Sequence, residues 1–149
     1  MYSISFNKNL VQELGLVDPR MIFPHEKVIE NKTALLIKYL ESFNESVVVS
    51  SILCCSKTMV IIDGHHRFFA LKKLGFNKIP ITKLNYFSKE IKTDFEEKFS
   101  KKDIINCALK KEYMDPKSTN HVVYCKESKS WEPVILLSSL FKLNFKIEK

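Results

Sequence analysis

Asp63-Gly64-His65-His66-Arg67 places a carboxylate, a glycine, two imidazoles and a guanidinium in consecutive positions. That set of groups suits an anion, and a phosphate above all. The largely β-branched run Met59 to Ile62 leads in, and Phe68 to Leu74 leads out as an amphipathic helix. The polar residues therefore crowd a strand–turn–helix junction. A helix N-terminus carries unpaired N–H groups and partial positive charge, which makes it a ready phosphate site. Gly64 lets the backbone approach an oxyanion closely, and Arg67 can grip one bidentately. In a plainer alternative, Asp63 caps the helix and the histidines bond locally. Packing alone gives little reason for five such residues at one turn, so the phosphate or nucleotide reading is the stronger.

Two further places hold the remaining histidines. In Pro24-His25-Glu26, proline suits a helix start and Glu26 in a first turn would complement the helix dipole. The sharper reading makes Glu26 a general base, because an alcohol nucleophile needs a carboxylate within hydrogen-bond reach to accept its proton. In Lys117-Ser118-Thr119-Asn120-His121, a lysine, two hydroxyls, an amide and an imidazole can ring a phosphate or a small zwitterion with donors. Alone, that run reads as turn chemistry. Beside the other two places it reads as part of a site.

The chain around these places has 149 residues, is 45% hydrophobic and carries a formal net charge of +7. That is enough apolar material for the core of one domain spanning 1–149. The charge suits an anionic partner, but lysines interleave with acids, as in Lys89-Glu90-Ile91-Lys92, and no basic block appears. Arg20 and Arg67 are the only arginines, which makes Arg67 conspicuous. No run has the length of a transmembrane helix or the character of a signal peptide, so the expected location is the cytoplasm, with no membrane partner. Cys54 and Cys55 are adjacent on an expected strand and point to opposite faces, so they cannot share a zinc ion. With Cys107 and Cys125 they read as free thiols in a reducing compartment.

The elements that must position these residues follow from patterning. Residues 1–9 read as an extended arm. Val11 to Met21 leads into a short strand around Arg20-Met21-Ile22. Pro24-His25-Glu26 opens a helix running from about Glu26 to Phe43, with an interruption near Asn31. Val47 to Cys54 and Lys57 to Ile62 are strands around a Ser56-Lys57 turn. The motif helix spans His65 to Leu74 and stops at Gly75, with Phe76 as the following apolar contact. Ile79 to Tyr86 is a strand, with Pro80 near its start. Phe87 to Phe99 has no clear assignment. Ser100 and Asp103 cap a helix over Lys101 to Lys111. A polar loop from Tyr113 enters a strand at His121 to Cys125, and Val134 to Phe145 packs back on the core. The fold class is α/β (α+β), a mixed sheet flanked by helices.

The Asp-Gly-His-His-Arg turn and its helix, Phe68-Phe69-Ala70-Leu71-Lys72-Lys73-Leu74-Gly75, resemble the ParB/sulfiredoxin superfamily. Pro24-His25-Glu26 upstream and Pro116-Lys117-Ser118-Thr119-Asn120-His121 downstream appear in the order found in the ParB-like free L-serine kinases. The three motifs span residues 24–121, and their combination is what points to the kinase. The resemblance implies a compact ParB/sulfiredoxin-like domain that makes O-phosphoserine from free L-serine, with ADP or ATP as donor and Mg²⁺. It makes Glu26 the base and Asp63 a second catalytic carboxylate that orients the hydroxyl or meets Mg²⁺. Gly64, His65, His66 and Arg67, with Lys117, Ser118, Thr119 and His121, would hold the nucleotide phosphates. His25 and Asn120 would face the substrate.

The sequence leaves the choice between ADP and ATP open. Sulfiredoxin chemistry needs a cysteine where His65 stands. A ParB-type DNA clamp would bring a helix-turn-helix module, and residues 88–112 do not read as a recognition helix, so no nucleic-acid partner is expected. A nuclease would need a metal-carboxylate cluster beyond Glu26 and Asp63. The alternative that stays open is a ParB-like nucleotide-binding switch or DNA-associated protein without kinase activity.

Overall fold

The computed structural model describes residues 6–93 and 99–149. At its centre is a four-stranded mixed sheet. The strands are β1 (Val11–Val17), β3 (Ile52–Cys55), β4 (Ile61–Asp63) and β5 (Ile79–Leu84), in the order β1-β5-β3-β4. β3 turns back through an antiparallel hairpin into β4. The chain then crosses through helix α2 (His65–Lys73) and returns as β5, parallel to β3, with β1 antiparallel on the far edge. This order places the C-terminal end of β4, and with it Asp63, directly at the start of α2.

Both faces of this sheet are covered. Ile52, Cys54, Ile61, Ile79 and Ile81 pack with Phe68 and Leu71 of α2 and Leu40 of α1 (Glu30–Glu41). Leu53, Cys55, Val60, Ile62 and Leu84 pack on the other face with Ile104, Ile105 and Ala108 of α3 (Lys101–Lys110) and with Val123 of β7 (His121–Cys125). The period-2 alternation of a strand therefore sends Cys54 and Cys55 into different cores, as their adjacency required. No disulfide joins the four cysteines among the described residues, and Cys54, Cys55 and Cys125 are buried. β7 lies between β6 (Ile91–Thr93) and β8 (Ser130–Pro133), and β2 (Ser46–Ser50) pairs with β9 (Leu140–Asn144).

Several expectations hold closely. α2 ends at Lys73 with Leu74 as its C-cap, Gly75 takes the left-handed conformation at φ +86°, and Phe76 N–H closes on Leu71 O at 3.2 Å with its ring buried. Ser100 and Asp103 form a reciprocal capping box on α3. Leu143, near the chain's end, returns to the α1–α2 core.

Others are corrected. The strand expected around Arg20-Met21-Ile22 is a 3₁₀ turn over Pro19–Met21, with the Asp18 side chain accepting from Arg20 N–H. The expected run from Val47 to Cys54 is cut at Ser51, because β2 pairs with a strand some ninety positions later. No helix starts at Glu26. Residues 24–29 stay extended, with a parallel bridge from Glu26 to Met114, and α1 begins only at Glu30. The expected arm at 1–9 lies partly outside the described residues, and its described end is a 3₁₀ turn over Lys8–Leu10. Residues 94–98 of the unassigned stretch Phe87 to Phe99 also lie outside them, while Ile91–Thr93 forms β6. Among the described residues no helix is long and apolar enough to cross a membrane.

Candidate active site

The fold brings parts of all three segments to one cleft of about 370 Å³, lined by Glu26, Ile62, Asp63, Gly64, His65, His66, Arg67, Lys117, Thr119 and Asn120. Gly64 is the N-cap of α2 at φ +104°, and no side chain caps this helix end. Asp63 therefore does not serve as its cap. The backbone conformation disfavours a side chain at Gly64, and a Cβ there would lie 2.8 Å from Arg67 Nη2, so the guanidinium would have to shift. Arg67 folds back over the glycine. Its Nη2 donates to Ser51 O at 3.1 Å and lies 3.7 Å from Asp63 Oδ2, while its buried Nε–H has no partner among the described residues. A buried guanidinium N–H left unpaired is costly, and Arg67 lines the cleft, where its guanidinium can meet an anion.

The two adjacent histidines act as acceptors. His65 Nε2 receives the backbone N–H of His25 at 3.0 Å and of Glu26 at 3.3 Å, and His66 Nε2 receives that of Ile29 at 3.0 Å. These rings pin residues 25–29 in extended form, which is why the helix starts late. An Nε2 that accepts is unprotonated. Accordingly burial, reinforced by the His25 charge, pushes His65 down to about 3 despite Glu26, and burial with the Lys32 and Lys117 charges lowers His66. The expectation that both rings grip phosphate is corrected to this extent: their Nε2 atoms are engaged by backbone.

His25 and His121 also move out of the direct line. His25 is fully buried, with Nδ1 on Ile61 O and Nε2 on Thr119 Oγ1, both at 2.6 Å, so it supports the site from beneath instead of facing a substrate. His121 is 5% exposed and is bonded through Nε2 to the Tyr86 hydroxyl at 2.8 Å. Burial, with the His25 charge, pushes it down to about 3. The Ser118 hydroxyl turns back to Asp115 O at 2.7 Å and does not line the cleft. Lys117 and Asn120 do line it, as expected.

The two carboxylates are in contrasting states. Glu26 is 7% exposed. Its Oε1 accepts Lys117 N–H at 3.0 Å, and its Oε2 accepts Thr119 N–H at 3.1 Å together with the Thr119 hydroxyl. Burial would raise its pKa, but His25, Thr119 and His65 outweigh burial and hold it at about 2. Asp63 is 39% exposed on its side chain. Burial raises its pKa and the Glu26 charge adds to this, while Arg67 opposes. Among the described residues no group of three or more His, Cys, Asp or Glu could hold a metal ion. Asp63 alone is the kind of single carboxylate that meets a Mg²⁺ carried on nucleotide phosphates.

Two contributors escaped the sequence reading. Ser51, fully buried, ties Arg67 to the Ser139 backbone and to Thr82. Lys32 stands near Lys117, whose interaction with it lowers its pKa, so a second ammonium group lies beside the Lys117 that lines the cleft. Neither had a local signal, since a serine between strands and a lysine on an exposed helix are ordinary.

No family model matches the chain. It is similar to ParB-like and L-serine kinase proteins over about half its length. It is 33% identical over 79 residues to a ParB-like protein of Sulfolobus acidocaldarius, a stretch covering 53% of this chain and 38% of that protein. To an ATP-dependent L-serine kinase of Staphylothermus marinus it is 31% identical over 80 residues, covering 52% and 31%. To an ADP-dependent L-serine kinase of Thermococcus kodakarensis it is 36% identical over 78 residues, covering 46% and 29%. The matched stretch thus spans roughly a third of the length of these relatives. Among solved structures, a free serine kinase in complex with AMP aligns at a TM-score of 0.48 and 25% identity, over 62% of this chain and 38% of that one.

Proposed function

We propose that this protein is a small-molecule kinase that transfers a phosphoryl group from ADP or ATP to the hydroxyl of free L-serine, the whole chain acting as one domain. The observation that carries this reading is the convergence of three sequence-distant segments on one cleft. It holds two carboxylates, a guanidinium with an unpaired N–H and an uncapped helix N-terminus. The similarity to nucleotide-dependent L-serine kinases supports the same reading.

In this scheme the first-turn N–H groups of α2, Arg67 and Lys117 hold the donor's phosphates. The serine Oγ attacks the terminal phosphorus, an O–P bond forms and the bridging O–P bond breaks. Glu26 takes the hydroxyl proton and the shortened nucleotide leaves. Mg²⁺ bound with the nucleotide would neutralise phosphate charge, with Asp63 as its protein carboxylate; Asp63 otherwise orients the hydroxyl. Positioning and charge stabilisation supply most of the acceleration in such a transfer. His25, His65, His66 and His121 position the cleft's walls. The setting is the cytoplasm, without a nucleic-acid partner.

The test is formation of O-phospho-L-serine by purified protein with Mg²⁺ and L-serine, comparing ADP with ATP. Product with either donor establishes the reaction and identifies the donor. ADP binding without product from either donor would favour a ParB-like nucleotide switch instead.

A further inference from the structure

The turn over Lys117 to Thr119 is an anion nest already filled by the protein's own carboxylate. Lys117 adopts φ +57°. In that left-handed conformation neighbouring backbone N–H groups converge on one point, a geometry that binds phosphates and other oxyanions. Here Lys117 N–H and Thr119 N–H reach the two oxygens of Glu26 at 3.0 and 3.1 Å, and the Thr119 hydroxyl joins them. A carboxylate edge and a phosphate face present the same acceptor oxygens to such donors. Arg67 and Lys117 also line the cleft beside this nest.

We propose that Glu26 occupies, in the free protein, the place a phosphoryl group of the donor nucleotide takes, so that donor binding releases this carboxylate toward the acceptor hydroxyl. The proposal rests on the nucleotide-dependent kinase reading and adds an order of events to it. Held by its donors, Glu26 is a weak proton acceptor, because each hydrogen bond to its ionised form lowers its basicity. Once phosphate oxygens take those donors, the carboxylate gains basicity beside the acceptor. The base is thus armed only when the donor is in place.

Displacing an internal occupant weakens apparent affinity by the fraction of molecules in which the site is open. Calorimetric titration of ADP, without Mg²⁺, into the wild type and into Glu26→Gln, Glu26→Ala and Asp63→Asn reads this directly. Both Glu26 variants should bind ADP tighter, on the order of ten-fold or more if the place is open in a tenth of molecules or fewer. Asp63→Asn removes a carboxylate charge from the same cleft and loosens its hold on Arg67 but empties no nest, so it gauges the charge effect and should tighten binding less than either Glu26 variant. Equal tightening in Asp63→Asn would reduce the effect to charge and overturn the proposal. Unchanged or weaker binding by folded Glu26→Gln, which keeps the side chain's shape, would do the same. Absence of ADP binding by all four proteins would instead refute the nucleotide reading itself.

Discussion

At the scale of single residues, the cleft separates groups that do chemistry from groups that hold them in place. Glu26→Gln should lower O-phosphoserine formation by roughly 10²–10⁴, the usual worth of a general base, while ADP affinity rises. Near-normal turnover in that variant, measured by product formation, would remove Glu26 from the base role. His65 and His121 make a different prediction. Both titrate in the fold at about 3 against an ordinary 6.5, so between those values the unfolded chain binds the more protons. Their contribution to stability is complete above pH 6.5 and declines as pH falls, by up to about 1.4 kcal/mol per pH unit for each ring. Glu26, held at about 2 against 4.5, adds its own loss only below pH 4.5. The urea midpoint should therefore drop between pH 7 and pH 5. A midpoint that stays constant would show these rings to be solvated.

At the scale of elements, the site depends on how α2 begins. Gly64→Ala imposes an L side chain at φ +104° and a 2.8 Å contact with Arg67. It should cost at least about 1–3 kcal/mol and weaken ADP binding together with stability, by thermal unfolding and calorimetry. Ser100→Ala removes the cap of α3 and should cost about 1 kcal/mol with ADP affinity unchanged, since that helix packs on the opposite face of the sheet. Both starts were legible in sequence, because a glycine after a β-branched run and a Ser-x-x-Asp box are local signals. The start of α1 was not. Proline, glutamate and an apolar periodicity all favour a helix from Glu26. The ring nitrogens of His65 and His66 take the backbone N–H groups of residues 25, 26 and 29 and keep that segment extended.

At the scale of the whole molecule, the central sheet is buried on both faces and its thiols with it. Burial pushes the Cys54 thiol up to about 12. Native protein treated with a thiol reagent should label at Cys107, the half-buried cysteine, with Cys54 and Cys55 reacting only on unfolding. Fast labelling at Cys54, read by mass spectrometry, would contradict the double-sided packing. The same packing explains why β2 and β3 are separate strands. Ser51 carries the chain from the β2–β9 pair into the central sheet, and its carbonyl holds Arg67.

The sequence by itself determined the mixed α/β character, the strand–turn–helix at Asp63 to Arg67, the Gly75 stop and the Ser100 cap, and the three segments that contribute to the cleft. Those features depend on side-chain type and on neighbours a few positions away. Only the tertiary structure decided how each polar group is used. His25 and His121 lie beneath the cleft, the Nε2 atoms of His65 and His66 lash a loop, and Glu26 fills a nest built more than ninety residues downstream. Each of these outcomes is a contact between residues far apart in the chain, and residue type and local spacing do not encode which of several available partners a hydrogen-bonding group will meet.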